Sequence, residues 1–227
     1  MANLRIGILA FPKVQQLDLT GPYEVFATVP GATTLLVWKS RQPLVSATGL
    51  ILTPDTTLAE CPQLDVLCVP GGVGVNALME DQDVLDFLRR QSEGARYVTS
   101  VCTGALVLAA AGLLRGRRAT THWASHDLLA PLGAVPKRAR VVVDGRFISG
   151  GGVTAGIDMA LTVVAELLGR PQAEMVQLML EYAPAPPFHA GDPETAGPDA
   201  VTRARAGYAA SRAERERIVG RIAAAAA

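Results

Sequence analysis

The chain has 227 residues, 49% of them apolar and 19% charged, a globular balance with ample material for a buried core. Lys plus Arg and Asp plus Glu number 21 each, so the net charge is zero and the basic excess of a nucleic-acid binder is missing. No uncharged apolar run is long enough for a membrane-spanning helix, so no membrane partner is expected.

Residues 4–11, LRIGILAF, are an apolar run of β-formers and read as a buried strand. Pro12 and Lys13 cut that run short, so a secretory signal is not expected. Thr20 is a candidate N-cap, and Pro22 suits a first helical turn, which predicts a helix over roughly 21–28. TTLLVWKS (33–40) reads as a second strand, and PLVSATGLILTP as a small hairpin bent at Gly49. DVLCVPGG (65–72) is a buried strand closed by Pro and two Gly. A helix over roughly 81–93 carries Val84, Leu85 and Leu88 on one face.

YVTSVC (97–102) is a β-rich run, and TGALVLAAAGLL (103–114) follows at once as a helix. RVVVDGRFISGGG (140–152) contains the turn pair Asp144-Gly145 of a hairpin. Residues 153–169 form an apolar helix ended by Gly169, and a further helix spans about 171–182. A Pro-rich surface excursion near 183–199 leads to a C-terminal helix over about 199–224. The acids and bases of RAERERIVGR balance, which marks that helix as a solvated face. Alternating strands and helices predict one α/β domain over 1–227, a mostly parallel sheet covered on both faces.

The three cysteines, Cys61, Cys68 and Cys102, are odd in number and irregular in spacing. They suit free thiols in a reducing cytoplasm, not a disulfide framework or a metal knuckle. Cys61 beside a proline and Cys68 inside an apolar strand read as inert. Cys102 stands where a strand meets a helix. There the next helix offers unpaired N–H groups and partial positive charge, which stabilise a thiolate. The residues alone leave two readings open, a nucleophile or a buried inert thiol.

Gly72 and Val73 end the neighbouring strand, and an N–H there paired with that of Thr103 suits an oxyanion site. Asp18 follows the first strand between Leu17 and Leu19. It reads either as an acid/base whose proton is held by apolar surroundings or as a helix-entry acid. His122 either orients the site or satisfies a local hydrogen bond, while Gly151 and Val153 either support it through their backbone or form a plain turn. No cluster suggests a metal.

QQLDLTGPYEVF (15–26), CVPGGVGV (68–75), VTSVCTGALVLAAAGLLRGRRATTHW (98–123) and ISGGGVTAGIDMAL (148–161) resemble the DJ-1/PfpI superfamily. With TSVCTG, TTHWA and LEYAPAPPF (180–188), the chain looks closest to its isocyanide hydratase group. The resemblance runs from the first strand to about residue 190. It implies a flavodoxin-like sandwich, a homodimer, no cofactor, Cys102 as nucleophile and Asp18 as the neighbouring acid/base. PfpI-type proteases carry His directly after the cysteine, and Thr103 here argues against peptidase activity. The substrate so implied is a small isocyanide, hydrated to an N-substituted formamide through a Cys102 thioimidate. The alternatives are a glyoxal or methylglyoxal hydratase, a redox sensor, or a regulatory domain. For the last, the roughly 37 residues after position 190 are too few for the helix-turn-helix module such regulators carry.

Overall fold

The computed structural model describes residues 4–225. In chain order they form β1 (Leu4–Leu9), α1 (Gln16–Ala27), β2 (Ala32–Trp38), β3 (Leu44–Val45), β4 (Ile51–Leu52), β5 (Thr56–Thr57) and β6 (Val66–Val69). Then come α2 (Val75–Leu78), α3 (Gln82–Gly94), β7 (Tyr97–Val101), α4 (Gly104–Ala110), β8 (Arg118–Ala119) and β9 (Val135–Pro136). The chain continues through β10 (Val141–Asp144), β11 (Phe147–Gly150), α5 (Ala155–Leu168), α6 (Arg170–Met179) and α7 (Pro198–Ala225). Two 3₁₀ segments, Trp123–Leu128 and Ala130–Leu132, lie between β8 and β9.

Seven strands make one sheet in the order β10-β11-β7-β6-β1-β2-β5. Every neighbouring pair in it is parallel except the β10–β11 hairpin. Helices α1 and α5 pack on one face, and α3 and α4 on the other, the expected flavodoxin-like sandwich. Strands covered on both faces need apolar residues at every position. Accordingly all four residues of β6 are buried, and β1 exposes only Arg5. Phe11, Phe26 and Phe87 fill the layers between sheet and helices. Each such burial is worth about 1.5–3 kcal/mol.

Helix α3 follows its sequence signal. Asp81 caps it by accepting the Val84 N–H, and Val84, Leu85 and Leu88 face the core. Elsewhere the boundaries shift. Helix α1 begins at Gln16, so Asp18 lies in its first turn and not in a loop. Thr20 is therefore no cap: its hydroxyl donates back to the Gln16 carbonyl at 3.0 Å. The start is fixed instead by tertiary contact, the Gln15 N–H donating to the Gly71 carbonyl at 2.8 Å. Helix α4 stops at Ala110, short of the expected 114, and α6 stops at Met179. In the β10–β11 hairpin Asp144 pairs with Phe147, so the turn residues are Gly145 and Arg146.

The chain leaves β1 toward β2 on one side and later returns to place β6 on the other side. Loops after β1 and β6 thus diverge across a crevice at the carboxyl ends of the strands, the usual ligand position of an open α/β sheet. The loop after β7 opens beside them.

Candidate active site

Cys102 is the single residue between β7 and Thr103, which precedes α4, and its φ is +54°. A non-glycine residue pays roughly 1–2 kcal/mol to hold that left-handed conformation. The cost is met by clamps on both sides. The Cys102 N–H donates to the Gly150 carbonyl at 3.0 Å, and its carbonyl accepts the Thr121 hydroxyl at 2.6 Å. Gly104 lets α4 start so close: a Cβ there would stand 2.0 Å from the Val69 carbonyl oxygen. The sharp turn aims the thiol away from the sheet and toward the crevice.

Asp18 is fully buried, with no solvent exposure. One carboxylate oxygen, Oδ2, accepts the Gly71 N–H at 3.0 Å. The other, Oδ1, is buried with no hydrogen-bond partner among the described residues, and the Cys102 thiol lies beside the carboxyl. Burial lifts the Asp18 carboxyl from an ordinary 3.8 to about 7, against the opposite pull of the Gly71 N–H and the thiol. Burial also pushes the Cys102 thiol well above its usual range, and the Asp18 charge adds to this. The Thr103 N–H and hydroxyl draw it back down. Both directions describe one arrangement: at neutral pH the sulfur keeps its proton and the carboxyl is poised to take it. The exposed, low-pKa thiol of the sensor alternative does not match, since Cys102 is only 6% exposed.

Gly71, not singled out in the sequence, is the glycine this arrangement requires. A Cβ on it would lie 2.7 Å from Asp18 Oδ2 and 2.6 Å from the Thr103 nitrogen. The Gly72 N–H, expected to point at a ligand, donates instead to Thr103 Oγ1 at 3.0 Å. It locks the two loops together. Gly72 also forms an isolated antiparallel bridge with Val14, which holds the loop after β6 against the loop after β1.

Cys102, Thr103, Gly72, Val73, His122 and Val153 line one cavity of about 90 Å³. Of the remaining candidates, Asp18 lies behind Cys102, and Gly151 faces a neighbouring polar cavity of about 610 Å³ that shares His122 and Val153. The Gly151 N–H is taken by the Arg140 carbonyl at 2.9 Å. His122 Nδ1 accepts the Ala124 N–H at 3.3 Å, so the ring caps the 3₁₀ segment. Burial holds its pKa down at about 4, leaving it neutral at physiological pH. Cys68 and Cys61 are held protonated by burial, up to about 12 and about 11, which fits inert thiols. No group of three or more metal-ligating side chains occurs among the described residues.

The outer wall of the small cavity was missed in the sequence. It comes from α7, through Tyr208, Ser211, Arg212 and Arg215. The signal was present. Those four positions fall on one helical face, and Ile218, Val219 and Ile222 continue it into the core. The stripe is apolar where it meets the core and polar where it crosses the cavity, so hydrophobicity alone conceals it. The expected solvated face is therefore a packed one along this stripe.

The DJ-1/PfpI family model matches residues 4–166. The chain belongs to the DJ-1/PfpI family. Within it, the chain is similar to the isonitrile hydratase of Pseudomonas putida, 60% identical over 221 residues that cover 97% of each protein. The crystal structure of a ThiJ/PfpI family protein from Pseudomonas syringae superposes with a TM-score of 0.94 at 42% identity, covering 97% of this chain and 92% of that one. Drosophila melanogaster DJ-1beta gives a TM-score of 0.71 at 23% identity and covers 79% of this chain and 98% of that one.

Proposed function

We propose that the protein hydrates small isocyanides to N-substituted formamides, with Cys102 as nucleophile and Asp18 as acid and base. The observation that carries this reading is the buried Cys102–Asp18 pair beside a cavity of about 90 Å³, in a chain 60% identical to an isonitrile hydratase over 97% of its length. No helix among the described residues is long and apolar enough to cross a membrane.

An isocyanide, R–N≡C, is electrophilic at its terminal carbon. The sulfur adds there while the Asp18 carboxylate takes the thiol proton, and Asp18 then gives that proton to the carbon. The result is a thioimidate, R–N=CH–S–Cys102. Asp18, again a carboxylate, removes a proton from water as the oxygen bonds to carbon and passes that proton to nitrogen. The C–S bond breaks as the carbonyl forms, the sulfur recovers a proton, and the N-substituted formamide leaves. One carboxyl serves both halves because it gains and loses the same proton, and a value near 7 suits that at neutral pH. Donors at Thr103 and Val73 stabilise charge on the intermediates.

The working form is a homodimer. Leu17 on α1 and Val45, Leu50 and Ile51 of the β3–β4 hairpin are exposed, Ile51 to 66%. The hairpin is tied to the start of α1 by the Ser46 hydroxyl, which donates to Gln16 Oε1 at 3.1 Å, and these exposed apolar side chains are the surface that a second copy would cover. Three unpaired cysteines suit a cytoplasmic site of action.

The test is turnover of aryl and alkyl isocyanides by the purified protein, with the formamide quantified by chromatography and Cys102→Ala run alongside. Formamide from the wild type and none from the variant is the expected result. Undiminished turnover by Cys102→Ala would refute the covalent route. Lactate from methylglyoxal with no formamide from any isocyanide would replace the reaction with an aldehyde hydration.

A further inference from the structure

Among the described residues only two charged side chains are buried, Asp18 at 0% exposure and Arg215 at 6%. They come from opposite ends of the chain, and both approach Cys102. Asp18 lies behind the sulfur, while Arg215 shares the sulfur's cavity from the α7 side. A buried guanidinium is costly unless a carboxylate offsets it. Arg215 has no such direct partner. Its Nε donates to Asn76 Oδ1 and one terminal nitrogen to Ser125 Oγ, both at 2.9 Å and both neutral groups. Glu214 is engaged by the Asn76 amide instead, at 2.9 Å. Its neighbour Arg212 differs, being paired with Asp127 and Glu216. The protein thus holds one buried cation at the wall of the reaction cavity, with Glu214 near it but not in a direct ion pair.

We propose that Arg215 is the counter-charge of the reacting sulfur: a positioning residue, delivered by α7, that favours negative charge on Cys102 as it attacks. The proposal rests on Cys102 being the nucleophile. The charged and titratable groups around the sulfur and Arg215 are Asp18 from α1, Cys68 from β6, His122 ahead of the 3₁₀ segment, and Arg212, Glu214 and Arg215 from α7. Cys68 stays protonated and His122 neutral through the physiological range, and Arg212 is already paired. Glu214 acts on Arg215 only through space, its carboxylate held by the Asn76 amide, which leaves Arg215 without a direct ion pair. Helix α7 lies outside the stretch matched by the family model, which ends at residue 166. The charge is therefore an addition to the core that carries the cysteine.

The experiment is the pH dependence of Cys102 alkylation by iodoacetamide, read by mass spectrometry of the Cys102 peptide, with Cys102→Ala as blank. In Arg215→Gln, which keeps an amide for Asn76 and Ser125, alkylation at pH 7 falls about tenfold and its pH midpoint rises. Arg215→Lys restores part of the loss. Arg221→Met, which removes a surface charge of the same helix paired with Glu80, leaves the profile unchanged. A folded Arg215→Gln with the wild-type profile would overturn the proposal and leave Arg215 as a clasp between α7 and the core. If Arg215→Gln does not fold, Asn76→Asp, which sets a carboxylate against the guanidinium, must raise the midpoint; an unchanged midpoint overturns the proposal equally. Because alkylation needs no isocyanide, a shifted profile without formamide turnover would refute the proposed reaction and leave the role of Arg215 standing.

Discussion

Replacing Asp18 by Asn should make the protein more stable at neutral pH while removing its activity. Burial raises the folded-state carboxyl from 3.8 to about 7. The unfolded chain releases that proton first as pH rises, so wild-type stability falls between those two values. At about 1.4 kcal/mol for each tenfold change in proton affinity, the full cost above pH 7 is roughly 4 kcal/mol. Asparagine carries no charge to bury, and its oxygen can still accept the Gly71 N–H. Setting aside ~1 kcal/mol for an imperfectly paired amide leaves a gain of about 3 kcal/mol at pH 8. Near pH 3.5 the carboxyl is largely protonated in both states and the gain should vanish. Urea unfolding of both proteins at fixed concentration across this range measures the difference, and effects of other acids cancel. A stability difference that does not change with pH would refute the reasoning, because the mutant's advantage would then have nothing to do with the proton.

Gly71→Ala should cut turnover at least tenfold and destabilise by about 1–3 kcal/mol, since the new methyl displaces Asp18 or Thr103; a fully active, equally stable variant would contradict the close packing. His122→Gln should keep the shape of the kcat/KM pH profile between pH 5 and 8, because the ring is neutral there; loss of a limb in that range would assign the ring a titrating role. Ile51→Glu should convert a dimer to monomer on light scattering, as a charge placed in an apolar interface is strongly disfavoured; an unchanged mass would move the interface elsewhere. In the native protein the fully buried Cys68 should react with a thiol reagent more slowly than Cys102, which opens onto a cavity, and faster modification of Cys68 would show that β6 opens readily.

The sheet was legible because its central strands are buried on both faces and so write themselves as unbroken apolar runs. The start of α1 was not, since no side chain caps it and the Gly71 carbonyl, 56 positions away from Gln15 in the chain by their numbering, fixes it through space. Cys102 could be singled out from its strand-to-helix junction alone. Its partnership with Asp18 could not, for it depends on β1, β6 and β7 lying side by side, and only the family resemblance anticipated it. Gly71 and Gly72 are indistinguishable as letters, yet one holds the acid and the other ties two loops. Arg215 was hidden by its neighbours: among the acids and bases of α7 a buried arginine looks like a surface one until the register of the helix is followed back from Ile218 and Val219.

Helix α7 separates two kinds of inheritance within one polypeptide. Residues up to β7 and α4 bring the acid and the sulfur together, and a helix that begins 96 positions after Cys102 supplies the outer wall of their cavity. Exchanging residues 198–225 for another sequence with the same apolar stripe but no arginine at position 215 should therefore change both the shape of the cavity and the charge that the sulfur meets. During synthesis the order matters as well. The sheet and its cysteine leave the ribosome first, and the thiol waits without its outer wall until the final helix docks.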